Sequence, residues 1–283
     1  MITDAEAREI LSRAYVPEHL VGLMTRVSGG EPHLIDDYFC CLKGDVIIVV
    51  GYPLNRDFRL DKLERAINGM LATFRPGRLF LVAPELPALR DKACRERESD
   101  YYYALGLRPA RIPSGLMRST AKAMREVVVE RAKFLGEAHF ALAEEFAARV
   151  DLPPRVKELL FRMWDYVGQT EGSLVLNAWS PGNKLAAFYV LDLSARDFST
   201  YVIGCHSKTN YIRGASDLLF LEMIRVSKEL DKAYVHLGLG VNEGIRRFKE
   251  KWGGVPSLKY EMCELTVRQP SFLEAIISFT GQR

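Results

Sequence analysis

The sequence predicts an α/β protein, an α+β mixture of helices on mixed sheets, arranged as two halves of similar layout. Three observations carry this reading. Strand-sized apolar runs such as "VIIVVGY" (46–52) and "RLFLVA" (78–83) stand beside segments of helical period. The second half reads β-β-β-α-β-α-β, a meander followed by helical crossovers. The first half offers a meander and a crossover of its own, although internal sequence similarity is too weak to establish a repeat.

The first half opens with a helical segment. Strands "YFCCL" (38–42) and "DVIIVVGY" (45–52) follow, joined by the hairpin-like "KGD". Leu60, Leu63, Ile67, Met70 and Phe74 recur every three or four residues, which predicts an amphipathic helix. The strand 78–83, a charged segment punctuated by proline, and "YYYALGL" (101–107) come next. Proline and glycine at 108–115 suit a boundary. Residues 120–150, rich in Ala, Glu, Lys, Arg and Met, read as helix; "LPP" (152–154) ends that stretch, and another helix covers 156–167.

In the second half, strands 173–179 and 184–193 flank the turn "SPGN", and 198–206 is a third strand. The polar loop "SKTNYIRGAS" opens a helix over 217–230. A strand at 234–237 meets Gly238 and Gly240, a short helix covers 243–252, and a last strand covers 258–267.

A chain of 283 residues with 48% hydrophobic and 27% charged residues is that of a globular protein able to bury a core. A net charge of +3 is too small to argue for nucleic acid by itself. There is no apolar stretch of transmembrane length, and the acidic N-terminus lacks a signal core, so a cytoplasmic location is expected. The five cysteines show no metal spacing and are expected to be free thiols, and no metal is expected.

Gly238, Gly240 and Gly244 imitate a dinucleotide fingerprint, but the chain after Gly238 has room for only one short helix and one strand. No GK[ST] follows, so a mononucleotide loop is excluded as well. Asn242 is a natural N-cap for the helix that follows, whose apolar face is expected to be Ile245, Phe248 and Trp252. Lys249 falls at the edge of that stripe. It either snorkels along apolar surface or aims its charge into a cleft.

"VNEGIRRFKEKWGG" (241–254) resembles the N-x-x-A-x-x-x-Y-x-x-x-G-F segment of Gcn5-related N-acetyltransferases. It is closer still to the F-K-x-x-[FW]-G signature of the Fem-type peptidyltransferases, whose chains carry two acetyltransferase-like domains in tandem. "DYFCCLKGDVIIVVGYPL" (37–54) is similar to the start of the acyltransferase-like region of lysyl-phosphatidylglycerol synthases, which has bacterial relatives. The resemblance implies two tandem acetyltransferase-like domains joined by a helical segment: residues 1–118, non-catalytic; 119–168, the helical connection; and 169–283, with the acyl-donor cleft.

It further implies that two parallel strands splay apart around an acyl thioester, acetyl-coenzyme A or another acyl-coenzyme A, with Gly238 at the end of one of them. The phosphate element would be "YIRGAS": Arg213 as the cation, with the N–H groups of Gly214, Ala215 and Ser216 on the pyrophosphate. The usual loop is [RQ]-x-x-G-x-[GA]; here Tyr211 replaces the first Arg or Gln, and Asp217 adds a repelling charge. Backbone N–H groups over 202–205, Val202 and Gly204 among them, would serve the donor and its oxyanion, and Asn242 is grouped with the donor-binding set. Alignment on Asn242 puts Lys249 where a tyrosine commonly protonates the leaving thiolate. That substitution matches the Fem-type pattern, whose donors are aminoacyl-tRNAs.

His206, at the end of the third strand, is the best base candidate by type and position, and Tyr201 and Asn177 could line the cleft. His236 projects opposite Val235 and Leu237. Cys205 lacks the signature of a cysteine nucleophile. The leading expectation is an acyltransferase that passes an acyl group to an amine of a small molecule, peptide or lipid headgroup. A tRNA-dependent aminoacyltransferase, with Arg118, Lys122 and Arg125 as basic candidates, and a degenerate binding protein without turnover are the alternatives.

Overall fold

The computed structural model describes residues 1–88, 94–108, 114–150, 152 and 154–267. In chain order these form α1 (Asp4–Arg13), a 3-10 turn (Pro17–His19), α2 (Val21–Ser28), β1 (Glu31–Ile35), β2 (Tyr38–Lys43) and β3 (Val46–Val50). Next come α3 (Leu60–Phe74), β4 (Arg78–Ala83), β5 (Glu96–Gly106), α4 (Ser114–Ala123), β6 (Val128–Ala132), α5 (Glu137–Arg149) and α6 (Pro154–Gln169). The chain closes with β7 (Ser173–Ser180), β8 (Lys184–Asp192), β9 (Phe198–His206), α7 (Ala215–Glu229), β10 (Tyr234–Leu239), α8 (Glu243–Lys251) and β11 (Val255–Thr266). Two compact units result, the first from residues 1–6, 28–100 and 259–283, the second from 7–27 and 101–258. They interleave along the chain, whereas the expected segments 1–118, 119–168 and 169–283 are consecutive.

In the first unit the strand order is β1-β2-β3-β4-β11. Neighbours are antiparallel except β3 and β4, which run parallel. A parallel pair needs a crossover, and α3 supplies it. Its predicted stripe is buried at Leu63, Ile67 and Met70, joined by Ala66. The helix stops at Arg75, which adopts a left-handed conformation (φ 49°) and returns its N–H to the Leu71 carbonyl. β1 is an addition to the expected elements: "EPHLI" is short and proline-bearing, and its pairing with β2 supplies what its propensity does not. Cys94 and Cys263 form a disulfide, which corrects the expectation of free thiols throughout; Cys40, Cys41 and Cys205 are free and buried.

The second unit has the order β5-β10-β9-β8-β7-β6, antiparallel apart from the β9/β10 pair. Strand alternation sorts its core onto two faces. Leu174, Leu176 and Ala178 of β7 pack with Leu218, Leu219 and Met223 of α7. Val175 of β7 and Phe188 and Val190 of β8 pack with Leu142 of α5 and Met163 and Tyr166 of α6. The single helix expected over 120–150 is instead the end of α4, then β6, then α5. Helix-favouring composition loses to the ladder that β6 makes with β7, from Val128↔Trp179 to Ala132↔Val175. The boundary expected at 108–115 lies largely outside the described residues, as does part of "LPP". Among the described residues no helix is long and apolar enough to cross a membrane.

Candidate functional site

The parallel β9/β10 ladder is three pairs long: Tyr234↔Phe198, Val235↔Ser199 and His236↔Thr200. Both strands then continue, β9 to His206 and β10 to Leu239, without further pairing to each other. Two devices separate them. On β9 the register to β8 shifts between Val190↔Ile203 and Leu191↔Tyr201, which makes Val202 the extra residue of a bulge. On β10, Gly238 adopts φ +72°, a conformation costly for any residue with a side chain.

The expected site residues gather in part around this opening. A Cβ on Gly238 would lie 3.8 Å from the Tyr201 carbonyl oxygen and 4.0 Å from Lys249 Nζ. Tyr201 folds back over Gly204, where a Cβ would meet the Tyr201 hydroxyl at 2.2 Å, and its ring meets Tyr189 edge-on at 4.9 Å. Burial raises the Tyr201 phenol well above its ordinary range, so it is held as a hydrogen-bond donor. Lys249 is 4% exposed. Its ammonium donates to the Leu239 carbonyl and sits 5.7 Å from the centroid of the Tyr103 ring. The buried face of α8 is therefore Lys249 with Trp252 and part of Phe248, whereas Ile245, expected on that face, is exposed. Asn242 caps α8 by accepting the Ile245 N–H at 2.9 Å.

The loop before α7 is organised differently from expectation. Gly214 is the N-cap, at φ 87°, and Arg213 is exposed. The Ala215 N–H is spent on the Ile212 carbonyl (3.2 Å), so it does not face outward as expected. The Ser216 carbonyl accepts from the Tyr189 hydroxyl at 2.9 Å, tying the helix start to β8. Asp217 accepts from Lys251 at 2.6 Å and from Trp252 Nε1 at 3.0 Å, so the repelling charge is compensated within the fold.

His206 stands apart from this group. Its Nε2 lies 3.4 Å from the Arg149 guanidinium, with the Phe146 ring beside it. Burial, and then the Arg149 charge, lower its pKa, which keeps the ring neutral. Asn177, expected in the cleft, is buried between His139 (2.9 Å) and Glu130 (3.0 Å) instead. The buried Cys205 thiol is pushed up to about 12, which removes it as a nucleophile at neutral pH.

One constellation had no signal in the sequence. At the closed end of the splay, Thr200 Oγ1 and His236 Nε2 are buried without hydrogen-bond partners, and Glu18 Oε2 is another such atom. Thr200 and His236 face each other in register, the Tyr102 ring lies 4.9 Å from that of His236, and the Tyr102 hydroxyl sits at the Glu18 carboxyl. His236 Nδ1 accepts the Gly238 N–H at 3.2 Å, so its remaining proton is on Nε2.

Burial, then Lys249, push His236 down to about 3, against about 6.5 in an unfolded chain. Between those values the unfolded chain holds a proton that the folded one refuses. Stability present above pH 6.5 is therefore lost as pH falls toward 3, at up to about 1.4 kcal/mol per pH unit. Glu18, raised by burial, acts with the opposite sign, losing stability as pH rises above its unfolded value. Denaturant midpoints from pH 4 to 7 should show a flatter acid limb in His236→Phe than in the wild type. Equal limbs would mean that His236 protonates freely in the folded state.

No family profile and no curated sequence matches the chain. Solved structures do. The C-terminal domain of a candidate lysylphosphatidylglycerol synthetase from Agrobacterium fabrum is 14% identical, with 98% of this chain and 97% of that one covered at a TM-score of 0.61. FemX is 10% identical over 92% and 96% of the two chains, at 0.60. A tandem Gcn5-related acetyltransferase from the clavulanic acid biosynthesis pathway is 11% identical over 94% and 97%, at 0.55. At such identities the likeness concerns fold, and the fold is the tandem acetyltransferase type that the sequence motif implied.

Proposed function

We propose that the second unit is an acyltransferase that moves an acyl group from an acyl-coenzyme A thioester to an amine. The carrying observation is the parallel β9/β10 ladder that stops after Thr200 and His236 while both strands run on. A gap of that kind exposes backbone N–H groups of β9, beginning at the Val202 bulge, to an extended donor. Arg213 and the start of α7, with Gly214 and Ser216, are the groups suited to the donor's phosphates. Compensation of Asp217 by Lys251 removes the local objection to an anion there.

In the reaction the amine nitrogen attacks the thioester carbonyl, the C–S bond breaks, the amine loses a proton and the sulfur gains one. Lys249, buried beside Gly238, is assigned to the negative charge that develops on oxygen or sulfur. Neutral His206 is the base we assign to the amine's proton; its Nε2 already accepts from Arg149 at 3.4 Å, so the amine must displace that contact. The acceptor's class is an amine of a small molecule, peptide or lipid headgroup. The location we assign is cytoplasmic, and the Cys94–Cys263 bridge weighs against it.

A second reading has a specific observation of its own. Lys249 occupies the position of the thiolate-protonating tyrosine and points inward, as the Fem-type pattern would have it, which favours an aminoacyl-tRNA donor. Thermal unfolding with acetyl-, malonyl- and free coenzyme A separates the two. A ligand at 100 times its dissociation constant adds about 2.7 kcal/mol, which raises the midpoint of a domain this size by roughly 5–10 °C. The expected result is such a rise, lost in Arg213→Ala. No rise with any thioester overturns the leading reading, and salt-dependent retention of charged tRNA would then support the second.

A further inference from the structure

β6 is the last strand of the second unit's sheet, paired with β7 on one side and with no strand on the other among the described residues. Every second residue of such a strand turns its N–H and C=O away from its neighbour. Edges of this kind are ordinarily guarded by charges, prolines or bulges. Here both charges of "VVERA" are drawn onto the faces of the sheet instead. Arg131 reaches Glu222 and Glu229 of α7, at 2.6 Å each. Glu130, on the opposite face, accepts from Asn177 Nδ2 at 3.0 Å and from Trp179 Nε1 at 2.7 Å.

Beside this edge lies a pocket of about 900 Å³, bounded by β6, the β7–β8 turn and the start of α5. Its lining includes Met124, Val128 and Phe134, and the last two are 70% and 64% exposed, so the edge carries an apolar patch. Glu130 supplies a negative charge to the same lining. Both of its hydrogen bonds fall on Oε2, which leaves Oε1 free to accept. Arg125 shares the pocket and makes no ion pair with Glu130. Two donors fix the carboxylate before any ligand arrives, so little ordering remains to be lost on binding.

We propose that an extended peptide adds to β6 as a further strand, with a lysine or arginine side chain on Glu130 and an apolar side chain in the pocket. An added strand places one residue opposite Glu130 on the same face, about 5 Å away at Cβ, and its neighbour two positions on beside Val128. The backbone ladder supplies affinity, and the alternate side chains supply selectivity. A second copy of this chain fits less well. Through its own β6 it offers Glu130 an apolar side chain, a like charge, or Arg131, which two carboxylates already hold. The site is independent of the acyl-transfer reading, because β7 and β8 separate β6 from the β9/β10 gap.

Isothermal titration of the full chain with a blocked heptapeptide tests it, with valine, lysine and valine alternating on one face and threonines on the other. Binding is expected with a dissociation constant below about 1 mM. Norleucine in place of the lysine should weaken it about tenfold. Methylating alternate amide nitrogens should abolish binding for one set and spare it for the other, since only one set faces β6. Glu130→Gln, which keeps an acceptor for Asn177 and Trp179, should weaken binding about tenfold, and Phe134→Ala severalfold. Unchanged unfolding midpoints would show that both variants fold. No heat up to about 10 mM peptide, equal binding of the norleucine peptide or in Glu130→Gln, or equal loss with either methylated set would each overturn the proposal. So would equally tight binding of blocked lysine alone, which would make the pocket a site for a small cation. A dimer in sedimentation equilibrium that the peptide fails to dissociate would give the edge to a second copy and overturn it too.

Discussion

Replacing Lys249 with methionine is expected to lower thioester turnover by about 10²–10³-fold while leaving the thermal shift from donor binding in place. Methionine keeps the length and apolar contacts of the lysine stem, so what is removed is the charge with its polar contacts, among them the hydrogen bond to the Leu239 carbonyl and the approach to the Tyr103 ring. A preorganised charge in a site that excludes water needs no reorganisation as the reaction proceeds, and losing one such donor costs about 2.7–4 kcal/mol of barrier stabilisation. Free-thiol release from acetyl-coenzyme A, with hydroxylamine as a surrogate acceptor, reads the rate. A fall in turnover with an unchanged shift places Lys249 in the chemistry. Loss of both would assign it to binding, and unchanged turnover would remove it from the mechanism.

The largest stability effect is expected at Phe188. Its ring is wholly buried at the centre of β8, between Asn177 of β7 and Cys205 of β9 in the ladder and 5.2 Å from the His139 ring. Phe188→Ala should cost about 3–5 kcal/mol through lost burial and the cavity left behind. That is a large share of the roughly 5–15 kcal/mol that holds a domain together. Trp164, Trp179 and Trp252 are all of the chain's tryptophans and all belong to the second unit, so their fluorescence in a urea titration isolates it. The midpoint should drop with an unchanged slope; a changed slope would mean that the variant alters the denatured or native ensemble instead.

Much of the second unit was legible because its strands 173–179, 184–193 and 198–206 carry period-two or wholly apolar runs bounded by turn residues. What failed did so where partners outweigh propensity. "VVERA" lies in a helix-favouring stretch, and only its ladder with β7 makes it a strand. On α8 the apolar stripe pointed to Ile245, yet the helix turns Lys249 inward because the Leu239 carbonyl offers it an acceptor. Tyr201 is expected near the cleft from its placement, and Gly204 and Gly238 from the family resemblance, whereas the Val202 bulge is a matter of register with β8. Glu18 sits in a three-residue turn 84 positions before Tyr102, whose hydroxyl it meets, and no local pattern announces such a contact. The pairing of Cys94 with Cys263 is of the same kind, since connectivity cannot be read from spacing.

The place of β11 has a consequence for biosynthesis. One side of β4 is satisfied early by β3, while its other side waits for residues 261–266, which are made about 180 residues later. At 5–20 residues per second that delay is roughly ten to forty seconds, during which a nascent chain displays "RLFLVA" as an open template for other strands. The first unit therefore completes its sheet only after residues 101–258 of the second unit have been made. Its yield in cells should depend on holding chaperones and elongation speed more than that of a protein whose domains close in the order they are made.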